Sequence, residues 1–78
     1  MRIFISGPYG DHNSTEVVAR NVERAIETAK ILMLQGHQVY CPHALTGEWP
    51  HDPRITREMY LGMHCSFLEY WAEAICRI

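Results

Sequence analysis

Lysine is almost missing from this chain. Its 78 residues carry seven basic side chains, of which only Lys30 is a lysine, and the formal net charge is −2. With no basic stripe to displace counterions, there is no electrostatic case for a nucleic acid or a membrane surface as partner. Cysteine is sparse and unpatterned: Cys41, Cys65 and Cys76 are an odd number without Cys-x-x-Cys spacing. Reduced thiols in the cytoplasm are therefore expected rather than a disulfide framework. Long apolar runs are absent too. The longest, Ile31 to Leu34, is far too short to cross a bilayer. Near the start, Ile3-Phe4-Ile5 runs straight into Ser6-Gly7-Pro8, which is not the pattern of a signal peptide.

What is present reads as one small domain over residues 1–78. The hydrophobic fraction of 47% is ordinary for a globular chain. A chain of this size buries only about 60% of its unfolded surface, so it has little stability to spare. Arg2 to Ser6 is a short β-rich run that Gly7-Pro8 breaks. From Asn13 the period becomes helical, with Val18, Val22, Ala25, Ile26, Ala29, Leu32 and Met33 on one stripe. Asn13 is placed to cap that helix with Glu16 at the third helical position, and Gly36 supplies a left-handed stop after Gln35.

His37 to Cys41 reads as a second strand, with Val39 and Cys41 alternating against Gln38 and Tyr40. Pro42 ends it. The stretch from His43 to Pro53 carries Gly47, Pro50 and Pro53 and reads as a loop. A second helix is expected from about Arg54 to Tyr70, its stripe formed by Ile55, Met59, Met63, Phe67 and Tyr70. Ala72 to Ile78 reads as a third strand. Two strand–helix–strand crossovers imply a parallel three-stranded sheet with helices on its faces, and such sheets bind ligands beyond the carboxyl ends of their strands.

Those ends nominate the candidate site. Gly7-Pro8-Tyr9-Gly10 lies where a nucleotide-binding α/β fold keeps its phosphate loop, although it is neither Gly-x-Gly-x-x-Gly nor a P-loop. Gly7 allows close approach of a ligand to the backbone, Pro8 stiffens the turn, and Tyr9 offers a ring and a hydroxyl. The same residues also suit an ordinary strand-to-helix turn. Pro42-His43 occupies the equivalent position after the second strand, where a histidine can donate to a sugar hydroxyl or phosphate and responds to pH near neutrality. Cys41, His43, His64 and Cys65 invite a zinc reading. Adjacent His64 and Cys65, however, point about 100° apart on a helix and cannot both aim inward, so no metal is expected. Glu58 and Glu69 suit solvated helix positions, and Trp49 and Trp71 suit the core better than a lid.

Taken together, Met1-Arg-Ile-Phe-Ile-Ser-Gly-Pro-Tyr9, Asn21-Val-Glu-Arg-Ala-Ile-Glu-Thr-Ala29, the Gly36-His37 bend and Tyr40-Cys-Pro-His43 resemble the nucleoside 2-deoxyribosyltransferase-like superfamily. The likeness is to its phage and bacterial members of unassigned function. It spans essentially all 78 residues and corresponds to the first half to two thirds of a usual family domain. It implies a flavodoxin-like three-layer α/β fold, here with three strands and two main helices, and a homo-oligomer. It also implies a nucleoside or nucleoside monophosphate as the small-molecule partner, with no cofactor.

The family breaks or exchanges the N-glycosidic bond through a glutamate that attacks the anomeric carbon, as a carboxylate traps an oxocarbenium-like centre. The resemblance carries over Ser6, Gly7, Pro8, Tyr9, Gly10, Pro42 and His43 as substrate-site residues, with Tyr9 orienting the nucleophile or sugar. His64 or Cys65 stands where relatives keep an aspartate. Tyr9 and His64 are thus the only catalytic candidates. The Gly-Ala-Asp-x-x-Glu-like stretch that supplies the nucleophile is not among these residues, which implies little activity for them alone. A silent nucleotide-binding module and a small dimeric interaction protein are the alternatives.

Overall fold

The computed structural model describes residues 1–8, 14–46 and 52–78. Strand β1 (Arg2–Ser6) leads to helix α1 (Thr15–Leu34), strand β2 (Gln38–Tyr40) and a short helix α2 (Pro42–Thr46). Helix α3 (Arg57–Tyr70) and strand β3 (Ala74–Arg77) follow. The strands form one parallel sheet in the order β2-β1-β3. The fold is a small Rossmann-like α/β arrangement, the class the sequence pattern implies.

Alternation along β1 explains why the sheet needs cover on both sides. Ile3, Phe4 and Ile5 are all buried, although Phe4 points opposite to its two neighbours. On the Ile5 side, Ala25 and Ala29 let α1 approach closely, with Leu32, Val39, Cys41, Cys76 and Ile78 packed around them. On the Phe4 side the rings of Phe4, Tyr40 and Phe67 form a stack, with centroids 5.5 and 4.2 Å apart. Phe67 brings α3 onto this face. Aromatic contacts of this geometry add about 0.5–1.5 kcal/mol per pair beyond area burial.

Helix α1 ends as its sequence requires. Gly36 has φ +93°, and the Gly36 and His37 amides donate to the carbonyls of Met33 and Leu32 at 3.0 and 3.1 Å. These paired bonds make a Schellman stop. Its start differs from expectation. Ser14 is the cap, accepting from the Val17 amide, so Glu16 sits at the second helical position; Asn13 lies outside the described residues.

Other boundaries shift for physical reasons. The expected loop from His43 contains helix α2, because Pro42 can open a helix as readily as it closes a strand. Helix α3 begins at Arg57 rather than Arg54, since the Thr56 hydroxyl accepts from the Met59 amide and caps it there. Strands β2 and β3 are shorter than His37–Cys41 and Ala72–Ile78. Ahead of β3, Glu73 accepts the Arg2 amide at 2.9 Å.

The helical stripes also need correction. Met33 is 62% exposed, and on α3 Met59 and Tyr70 are exposed. Ile55 and Met63 are half-buried, and the contacts of α3 with the sheet add His64 and Trp71, both beside Tyr40; Tyr60 is in tilted contact with His64 and Phe67 in edge contact with Trp71. Trp71 is thus half-buried against the sheet, while Trp49 lies outside the described residues.

Candidate functional site

The order β2-β1-β3 means that the chain leaves β1 to one side and returns to the other. This creates a switch point between β1 and β3, the place where open α/β sheets leave a crevice for ligands. The residues there are Ser6, Gly7 and Pro8 from the end of β1, and Arg77 and Ile78 from the end of β3. Tyr9 and Gly10, also expected at this site, lie outside the described residues.

Two of the expected segments meet. His43, on α2 and 6% exposed, places Nε2 3.0 Å from the Pro8 carbonyl. A carbonyl only accepts, so His43 Nε2–H donates. That nitrogen is spent on the protein's own loop rather than on a ligand. Its effect is to tie the turn after β1 to the helix after β2.

Gly7 allows close approach, and the group that approaches is Ile78. A Cβ added at Gly7 would overlap Ile78 Cγ1 and Cδ1, and the Ile78 amide donates to the Ser6 carbonyl at 2.9 Å. The glycine therefore permits tight docking of β3 at the mouth of the site.

His64 lies in a polar network that sequence reasoning missed. Although it is 7% exposed, both ring nitrogens are satisfied: Nδ1 by the Tyr40 hydroxyl at 2.9 Å and Nε2 by Thr46 Oγ1 at 2.7 Å. Thr46 gives its only proton to the Pro42 carbonyl, 3.1 Å away. It must therefore accept from His64 Nε2–H, which leaves Nδ1 bare to accept from Tyr40. The bonds run one way, from Tyr40 through His64 and Thr46 to Pro42, and the ring is neutral. Burial, helped by the nearby His43, lowers the His64 pKa, while burial raises that of Tyr40. This arrangement fastens β2, α2 and α3 together, and its ring nitrogens are not offered to a substrate.

No group of three or more His, Cys, Asp or Glu side chains able to hold a metal ion occurs among the described residues. Cys41 is half-buried, with its thiol pKa raised by burial, and Cys65 faces outward. Two of the carboxylates are engaged on the protein itself, Asp52 at Arg54 and Glu73 at Arg2; Glu48 lies outside the described residues. No helix among the described residues is long and apolar enough to cross a membrane.

No family model matches the chain, and neither a curated protein nor a solved structure does.

Proposed function

We propose that this chain binds a nucleoside or nucleoside monophosphate at the carboxyl end of β1, as a deoxyribosyltransferase-like protein. The observation that carries the reading is the meeting of Ser6-Gly7-Pro8 with His43 at the adjacent carboxyl ends of β1 and β2, held by the His43–Pro8 bond. A parallel sheet offers ligands its carboxyl edge, and here that edge is built from the same two segments whose sequences resemble the superfamily. The backbone turn supplies polar groups, and His43 gives it one fixed geometry. Preorganisation of this kind lowers the ordering cost of binding.

Binding is assigned in preference to glycosidic bond transfer. His64, the expected stand-in for a catalytic group, is committed to Tyr40 and Thr46. The test is titration calorimetry with the four deoxynucleosides and their 5′-monophosphates, with chromatography of the same mixtures for free base. Heat of binding without base release is the expected result. Base release would replace the binding reading by the transfer reading, and absence of both would remove the nucleoside site.

A further inference from the structure

Ser6 and Arg77 are register partners across β1 and β3. Directly paired residues of parallel strands project to the same side of a sheet, which here is the side of Phe4 and its own partner Ile75. Helix α3 covers this side through the rings stacked on Tyr40, over β1 and β2. Over β3 the cover fails: Ile75 is 54% exposed, and Ser6 and Arg77 are exposed as well. The result is an open ledge with an apolar floor at Ile75 and a hydroxyl beside a guanidinium at its outer end.

This ledge is firmly built. The Ile78 amide is bonded to the Ser6 carbonyl, and the Ile78 side chain packs over Gly7 on the opposite side of the sheet. Arg77, between inward-facing Cys76 and Ile78, is thereby held outward. Unlike Arg2 and Arg54, which are committed to Glu73 and Asp52, Arg77 makes no hydrogen bond or ion pair among the described residues. A free guanidinium presents a planar fork of donors that suits phosphate oxygens.

We propose that Arg77 and Ser6 form an anion-recognition pair that takes the phosphate of a nucleoside monophosphate whose nucleoside lies at the carboxyl end of β1. The proposal rests on the nucleoside reading above and adds that the ligand is the phosphorylated form. Arg77 contributes charge-assisted hydrogen bonds and Ser6 a neutral one.

The test compares calorimetric affinities of the wild-type chain, Arg77→Gln and Ser6→Ala for a deoxynucleoside, its 5′-monophosphate and inorganic phosphate. Amide NMR spectra confirm that each variant is folded. The wild type should prefer the monophosphate over the nucleoside by about tenfold or more, as expected for charge-assisted bonds. Arg77→Gln should abolish that preference, and Ser6→Ala should reduce it. A preference that survives Arg77→Gln, or a wild type that binds both forms equally, overturns the pair while leaving the nucleoside site standing. If neither organic ligand binds, the nucleoside reading fails. The pair then stands only if inorganic phosphate shifts the Ser6 and Arg77 amide resonances in the wild type and not in Arg77→Gln; without such shifts it falls as well.

Discussion

The Tyr40 hydroxyl lies 2.9 Å from His64 Nδ1, and that contact completes a one-directional chain of hydrogen bonds joining β2, α3 and α2. Because Thr46 has already given its proton to Pro42, the direction of every bond follows from proton counting alone. A buried polar chain with every member satisfied is specific, and breaking one member leaves a buried neighbour unpaired.

Tyr40→Phe keeps the ring stack and removes only the donor to Nδ1. Thr46→Val removes the acceptor for Nε2–H. Each should cost about 1–3 kcal/mol, the range for leaving a buried polar group unsatisfied. Urea denaturation followed by circular dichroism measures it. The double variant should cost less than the sum of the two, because both act on the same imidazole.

Stability should also fall on mild acidification. The folded-state pKa of His64 is lowered from 6.5, first by burial and then by the charge of nearby His43. A depressed histidine contributes its stability fully above the unfolded value and loses it as pH falls through the folded one. Wild type should therefore lose stability between pH 6.5 and more acidic values, and His64→Gln should show a shallower slope there. Equal slopes in paired urea titrations would remove His64 as the source.

At Gly7 the expected effect is steric. Gly7→Ala should destabilise by about 1–3 kcal/mol, the usual cost of overpacking, because the new methyl meets Ile78 Cγ1 and Cδ1. Ile78→Ala should itself be destabilising. In the Ile78→Ala background, however, Gly7→Ala should cost much less, and the difference in thermal melting points across the four chains reads that coupling.

Gly36 tests the helix stop. Its φ of +93° is unfavourable for a residue with a Cβ, and nothing lies near the position that Cβ would take. The cost is thus purely conformational. Gly36→Ala should lose on the order of 1 kcal/mol, and Gly36→Asn less, because asparagine tolerates the left-handed region. Chemical denaturation of the three chains ranks them.

Much of the fold was legible along the chain because its signals are local. The Arg2–Ser6 strand, the long first helix, its Gly36 stop and the parallel class all follow from periodicity and turn chemistry within a few residues. The candidate loop was legible for the same reason: a Gly-Pro break must fall where a strand ends. Helix α2 was not, because proline marks both strand ends and helix beginnings. The α3 stripe was legible at Phe67, which stacks on Tyr40, but not at His64, because an apolar count passes over a histidine.

By itself, then, the order of residues determined the three strands, the two long helices and the carboxyl-edge position of Gly7, Pro8 and His43. Only the tertiary structure decided what these side chains face. His43 meets Pro8 across 35 positions, and His64 meets Tyr40 across 24 and Thr46 across 18. Gly7 meets Ile78, and Ser6 stands beside Arg77, only because β3 returns to the far side of β1. A helix period or a turn motif acts over one or two turns of chain. Partners this far apart are chosen by the packing of the sheet and its two helical layers.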